Sequence, residues 1–261
     1  MIVEKEIIRE IIERGSRLDG RGFHQFRDMK IETGVIPKAE GSARVEIGDT
    51  KVMVGVKLEP GEPFPDSPNE GILMVSCELV PLASPEFEPG PPGEEAIEIA
   101  RVVDRAIRES NAIDLEKLVI KEGKVWKVMI DIVVLDDGGN LIDAASLGAI
   151  SALLDTKIPA YTVEGDEIKI DRTVKETPLP LKRKPICVTV VKIGNKLLLD
   201  PNRSEEEAMD ARLTLGVFEE DEEIKFCAMQ KGGNGGITYE EFERILDLVT
   251  EKAKKLLKHV K

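Results

Sequence analysis

The segment "AASLGAISALL" (144–154) constrains the fold more than any other part of the chain. At helical spacing its residues are apolar or small on nearly every side. A helix built from them has no face to give to water and must be enclosed by the rest of the protein. Ahead of it runs the strand-like "KVWKVMIDIVVL" (124–135), then Asp136-Asp137-Gly138-Gly139. Strand, glycine turn and helix N-terminus are the parts from which backbone amides build an anion seat. Yet the turn carries no Arg or Lys, and Asp143 stands where the helix is expected to begin. The local pattern leaves two readings open: a phosphate site, or the outline of one without its cation.

A chain of 261 residues with 41% hydrophobic content can bury such a helix, in one large domain or two modest ones. No apolar run approaches the ~20 residues that cross a bilayer, and "MIVEKEIIREIIERG" lacks the apolar centre of a signal peptide. Cys77, Cys187 and Cys227 are far apart and odd in number, which fits a reduced cytoplasmic setting better than a disulfide framework. With only His24 and His259, neither a structural zinc site nor a histidine-based nucleophile system has its parts. No cofactor is expected, and no spacing picks out a metal site, though so acidic a chain leaves one built from carboxylates open. The net charge of −13 argues against a protein that coats nucleic acid with its whole surface, but leaves room for a local basic groove.

Periodicity orders the rest. Ile7, Ile8, Ile11 and Ile12 make residues 2–14 an amphipathic helix in need of a partner surface. "RLDGRG" (17–22) reads as a polar turn. Residues 43–60 alternate about Gly48-Asp49, a β-hairpin pattern, and 186–200 repeat it about Gly194-Asn195. Pro-rich loops at 60–71 and 85–93 flank a strand at 72–80. A helix spans about 94–110, further strands follow 212, and Leu246, Val249, Ala253, Leu256 and Leu257 make one stripe of a helix over 238–261. The segment "KETPLPLKRKP" (175–185), with three prolines and four basic residues, reads as a connection between two halves.

Two features bear on chemistry. In "EEAIEIARVVDRAIRES", Ala96, Ala100, Val103 and Ile107 form the buried face, and Arg101, Arg105 and Arg108 fall within about 60° of one another on the other side. Three guanidiniums in a row can fork onto successive phosphates. The plainer reading is a solvated face in which Glu98 pairs with Arg101 and Asp104 with Arg108. Asp210, in "DPNRSEEEAMDARLTL", is a lone carboxylate six residues after Ser204. General acid work needs such a group beside a substrate and a second group to tune it; a surface or turn position is the alternative. "KGGNGGIT" (231–238) lacks P-loop spacing and reads as a turn before a helix, and "KRK" (182–184) as solvated charge.

Taken in order, "SRLDGRGFHQFRDMKI", "GSARVEIGDTKVMVGV", "EIARVVDRAIRES", "DIVVLDDGGNLIDAASLGAISALL", "DPNRSEEEAMDA" and "MQKGGNGG" resemble the RNase PH family of phosphorolytic exoribonucleases over almost the whole chain. Within it, the pattern is closest to the non-catalytic RNase PH-like subunits of archaeal exosomes. The resemblance implies an α+β fold of two related βαβ-type halves with packed mixed sheets. The expected division is an N-terminal helix (1–16), a first half (17–174), the connection (175–185) and a second half (186–261).

Active members of the family turn into the core helix through a Thr/Ser-Arg-Thr/Ser loop that holds the attacking phosphate. Here Asn140-Leu141-Ile142-Asp143 takes that place, so the carboxylate of Asp143 is expected to fill the seat itself. Active members also carry two aspartates six residues apart; Asp210 matches the second, and Ser204 replaces the first. The resemblance therefore implies a subunit that is inactive by itself. It further implies an arginine helix (Arg101, Arg105, Arg108) that grips single-stranded RNA beside a catalytic RNase PH-like partner, which would bind inorganic phosphate. Three such heterodimers form a hexameric ring with RNA-binding cap subunits in the family. Two alternatives stay open at this point: a chain that is itself an active phosphorolytic exoribonuclease, and a structural spacer that never touches RNA.

Overall fold

The computed structural model describes residues 2–165 and 167–260. After helix α1 (Ile2–Glu13), the first sheet is built from β1 (Met29–Thr33), β2 (Gly41–Ile47), β3 (Thr50–Gly61) and β4 (Ile72–Leu79). Helix α2 (Glu94–Glu109) leads through a short 3-10 turn to β5 (Val119–Lys121) and β6 (Lys124–Asp136), and helix α3 (Leu141–Asp155) follows. The strand order is β1-β2-β3-β6-β4, with β5 also on β6. The hairpin about Gly48-Asp49 is present, with Ile47 opposite Thr50 and Gly48 at φ +54°, a turn conformation glycine adopts without a Cβ clash. β4 and β6 are parallel and joined through α2, a βαβ unit, whereas the other pairings of this sheet are antiparallel.

A two-stranded ribbon follows, β7 (Lys157–Glu164) with β8 (Glu167–Pro178). The sequence reading assigns no element there; Ile168 and Ile170 do alternate with polar residues in β8, but both strands of the ribbon are largely exposed. The ribbon also takes residues 175–178 from the expected connection, leaving 179–185 irregular. Pro178 is tolerated as the last residue of β8, on a ribbon where a missing N–H interrupts no central ladder.

The second sheet, order β10-β9-β11-β12, comprises β9 (Ile186–Ile193), β10 (Lys196–Leu199), β11 (Ala211–Glu220) and β12 (Glu223–Gly232), with helix α4 (Arg203–Ala208) between β10 and β11. Helix α5 (Tyr239–Leu256) follows, continued by a 3-10 turn at Leu257–His259. This sheet is antiparallel throughout. Gly194 repeats the positive φ of Gly48, at +57°. The β11–β12 turn instead places Asp221 and Glu222 at φ +52° and +65°, a conformation that disfavours side chains with a Cβ.

The enclosed helix lies between the sheets. α3 packs on β2 and β3 to one side and β9 to the other, and every residue from Leu141 to Leu153 is buried. α2 lies beside it, against β4, β11 and β12. One hydrophobic core therefore runs from Val45 and Ile130 through Leu147 and Ile150 to Val188, Leu215 and Val249, joining the two halves. The amphipathic α1 finds its partner surface at Val191, Ile193, Leu198 and Ala208, burying Ile8 and Ile12 while Ile7 stays exposed. In α5, Thr238 and Glu241 form a capping box, and Ile245 and Leu248 join Val249, Ala253 and Leu256 on the buried face.

Candidate functional site

The turn that resembles an anion seat joins β6 to α3. Asp137 Oδ1 accepts from the Gly139 amide (3.0 Å), and Asn140 stands at the N-cap position at φ +57°, in the left-handed region that Asn tolerates. The helix thus begins at Leu141, earlier than the position of Asp143 suggests, and the Asn140 side chain, which makes no capping bond, donates instead to Asp143 and Asp200. Asp143 is the third helical residue and points away from the seat. Its buried carboxylate accepts from the Thr189 amide (3.0 Å), Thr189 Oγ1 (2.7 Å) and Asn140 Nδ2 (3.0 Å). Burial pushes its pKa up to about 7 against the pull of those donors. Asp143 ties α3 to β9 across the two halves; it is not the anion in the seat.

Another carboxylate is. Glu206, from α4, accepts the Asn140 amide on Oε1 (2.8 Å), and burial raises its pKa to about 7. The start of α4 lies directly on the turn: Arg203 donates its amide to the Gly138 carbonyl (3.1 Å). A Cβ on Gly139 would come within 2.5 Å of Arg203 N and of the Asn202 carbonyl carbon. Cations also reach the turn from elsewhere in the chain. Arg27 donates to the Gly138 and Gly139 carbonyls (2.8 and 3.1 Å), and Arg203 stands 3.4 Å from Asp137 Oδ2. Both already hold protein carboxylates, Arg27 that of Asp200 and Arg203 those of Glu86, Glu95 and Asp137. The seat is neutralised from within.

The "RLDGRG" segment, expected as a polar turn, is the frame of this arrangement. Arg17 is buried and forks onto Glu205 (2.8 and 2.5 Å) while donating to the Leu199 and Asp200 carbonyls (3.0 and 2.9 Å). Arg21 and Arg27 both bind the Asp200 carboxylate, at 2.9 and 2.7 Å. Burial would raise the Asp200 pKa, but the hydrogen bonds from Arg27 outweigh it and hold the carboxyl below the ordinary range. The signal in the sequence was "NRSE": Asn202 and Glu205 make a capping box on α4, which fixes where Glu205 and Glu206 point.

Asp210 lies outside this cluster. It accepts from Arg9 of α1 and from the Gly194 amide (2.7 Å). Partial burial opposes ionisation, yet the Arg9 and Gly194 hydrogen bonds prevail and its pKa is lowered. A carboxyl held ionised by two structural donors fastens α1 and the β9–β10 turn. Ser204 is exposed at the start of α4. "KGGNGG" is the bend between β12 and α5, with the Gly235 amide on the Asp210 carbonyl (2.7 Å). Arg183 of "KRK" pairs with Glu220 and stacks on Phe218, so this basic run is tied down more firmly than a solvated patch.

The three arginines of α2 are exposed together. Arg108 binds Asp104 through two bonds (3.1 and 2.8 Å), as the spacing suggests, and also the Leu73 carbonyl of β4 (3.1 Å). Arg105 has a long contact to Glu109 (3.4 Å). The expected Glu98–Arg101 pair does not form. Glu98 turns to Arg212 (2.5 Å) and Gln230 (3.1 Å), on strands packed beside α2, leaving Arg101 without an ion pair or side-chain hydrogen bond among the described residues. Arg101 and Arg105 form a ridge between two hollows: a groove of about 800 Å³ towards β12, and a cleft of about 300 Å³ towards β4 that Arg108 also lines. Among the described residues, no cluster of His, Cys, Asp and Glu side chains is disposed to hold a metal ion. Among the same residues, no helix is long and apolar enough to cross a membrane.

Comparison with known families matches residues 25–159 to domain 1 of the 3′ exoribonuclease (RNase PH) family and residues 184–252 to domain 2. The chain belongs to the RNase PH family. Among its relatives is the exosome complex component Rrp42 of Methanothermobacter thermautotrophicus, 49% identical over 259 residues, covering 99% of this chain and 94% of the relative. The Rrp42 of Thermococcus kodakarensis matches at the same identity and coverage. Among solved structures, the Archaeoglobus fulgidus exosome with RNA bound to the active site contains a chain of TM-score 0.90 and 48% identity, covering 99% of this chain and 98% of that one. An archaeal exosome core matches at TM-score 0.84 and 44% identity, with 97% and 94% covered. The α+β RNase PH architecture, with its mixed first sheet and five helices, is thus the architecture of this chain.

Proposed function

We propose that this chain is a non-catalytic ring subunit of an archaeal exosome. It pairs with a catalytic RNase PH-like subunit and helps hold single-stranded RNA for phosphorolytic 3′→5′ degradation. The observation that carries this reading is the contrast between two sites on one molecule. At the turn before α3 the anion position is taken by Glu206, and both nearby arginines hold protein carboxylates. On α2, Arg101 and Arg105 stand exposed, and Arg101 has no ion pair or side-chain hydrogen bond among the described residues. A chain that attacked RNA with its own phosphate would need the first site open. A spacer would have no use for the second.

The chemistry follows from that division. Inorganic phosphate binds at the partner subunit, attacks the terminal phosphodiester there and releases a nucleoside diphosphate. Asp210, held ionised by Arg9 and Gly194, is not a proton donor. The α2 guanidiniums act on the same strand by charge, positioning the backbone without reading bases. Three heterodimers close a hexameric ring carrying RNA-binding caps, in the cytoplasm. The large identity to Rrp42 proteins over nearly the full length supports this assembly.

Reconstitution tests it. The purified chain should release no nucleoside diphosphate from RNA in phosphate buffer, and release should appear when a catalytic RNase PH-like subunit is added. Release by the chain alone overturns the reading. In the assembled ring, Arg105→Glu with Arg108→Glu should weaken RNA binding and flatten its salt dependence. Unchanged affinity and slope would reduce the chain to a spacer.

A further inference from the structure

The groove between α2 and β12 has features that phosphate binding does not use. Its α2 wall is the row Ile97, Arg101, Arg105, one residue per turn and about 6 Å apart along the axis. Its opposite wall is the edge strand β12 at Met229 and Gln230, and its floor is lined by Gly216 and Ala228, where α2 packs closely on the sheet. A Cβ on Gly216 would lie 3.0 Å from that of Ala228 and 3.2 Å from that of Ala106. Ile97 is 49% exposed and Met229 59%, two large apolar side chains facing one hollow beside the ridge. Glu98 is engaged by Arg212 and Gln230, while Arg212 Nε, buried in the same wall, has no acceptor. Glu94 and Glu95 lie at the far end, at the start of α2, so anionic groups are directed to the arginine end.

We infer that this groove seats one nucleobase of the bound strand against Ile97 and Met229, with Arg101 and Arg105 holding the adjoining phosphates. The inference rests on the RNA reading above and adds to it a contact that is apolar and independent of salt. A volume of about 800 Å³ admits a base, being within the ~300–1,000 Å³ of small-molecule sites. A flat π-face between an isoleucine and a polarizable thioether gains the contact that exposed side chains of these types lack in water. Such a slot is tolerant of sequence, as stacking platforms are.

The test uses the full chain in the ring reconstituted with its catalytic partner, and two probes of equal length: an oligoadenylate and an abasic ribose-phosphate oligomer. Anisotropy titrations at several salt concentrations separate the terms. Met229→Ser and Ile97→Ser, both at exposed positions, should each weaken oligoadenylate binding about tenfold. They should leave abasic binding and the salt slope unchanged. Arg101→Glu should weaken both probes and lower the slope by about 1. Unchanged oligoadenylate affinity in both serine variants overturns the slot. Failure of those variants to assemble the ring overturns it too, and assigns the surface to the partner chain. Binding of neither probe by the unaltered ring overturns the RNA reading and the slot together.

Discussion

Asp143→Asn should flatten the pH dependence of stability in a defined window. The Asp143 carboxyl is wholly buried and its pKa lies at about 7, against 3.8 for the free side chain. The folded state therefore keeps a proton that the unfolded chain releases between those values. Stability associated with Asp143 is full below the unfolded pKa, falls as pH rises through the interval, and levels off above about 7. At 1.36 kcal/mol per unit, the whole shift of roughly three units corresponds to about 4 kcal/mol at most. About 2 kcal/mol of that falls between pH 5.5 and 8.5, a range that stays clear of the isoelectric point near 4.9. Asparagine copies the protonated acid, so the variant lacks this dependence. The asparagine oxygen can keep the Thr189 and Asn140 N–H groups while its NH2 donates to Thr189 Oγ1, so the partners are retained at every pH. Glu206, raised in the same direction, contributes equally to both proteins and cancels. Urea unfolding of the full chain at pH 5.5, 7 and 8.5 measures the difference. The wild type should lose about 2 kcal/mol relative to the variant across the series. A constant gap would mean that Asp143 is ionised throughout, and the argument from burial would fail.

Three further substitutions have outcomes fixed by their surroundings. Arg17→Ala leaves Glu205 buried without its cation and should cost about 3–5 kcal/mol, read as a lowered thermal midpoint. Glu222→Gly relieves a left-handed residue in the β11–β12 turn, keeps the backbone carbonyl that accepts from Lys254, and should stabilise the chain by about 1 kcal/mol in chemical unfolding. Asp210→Asn removes a half-exposed tie to Arg9 and should cost no more than about 1 kcal/mol. In the reconstituted ring it should leave nucleoside diphosphate release unchanged; a large loss of rate would return Asp210 to the chemistry.

How much of this was legible depended on the range of the interaction. The hairpins about Gly48 and Gly194, the enclosed α3, and the buried faces of α1, α2 and α5 all follow from spacing within one segment, and the structure has each of them. The ribbon β7–β8 was silent because it buries little, and periodicity reports burial. Helix pairing was half legible: Asp104–Arg108 forms at i, i+4, but Glu98 prefers Arg212 and Gln230. An exposed pair on one helix is worth a few tenths of a kcal/mol, so a partly buried guanidinium on a neighbouring strand wins the carboxylate. That competition is invisible in a helical wheel, and it is what leaves Arg101 free.

The seat before α3 shows the same limit in sharper form. From the sequence alone, Asp143 was expected to fill the seat, whereas the structure places Asp143 on Thr189 and Glu206 on the Asn140 amide. Cations do reach the turn, Arg27 from 111 positions away and Arg203 from α4, but each arrives already holding carboxylates. The anion on the Asn140 amide comes from Glu206, 66 positions on. What closes an anion site is the sum of charges that the fold delivers, and the delivery runs through the Asn202–Glu205 cap, which sets the rotation of α4. Reopening the seat therefore requires more than an arginine inserted near Asp143. Glu206 must be removed and Arg203 released from Glu86, Glu95 and Asp137, since a phosphate arriving at the present turn meets those carboxylates first.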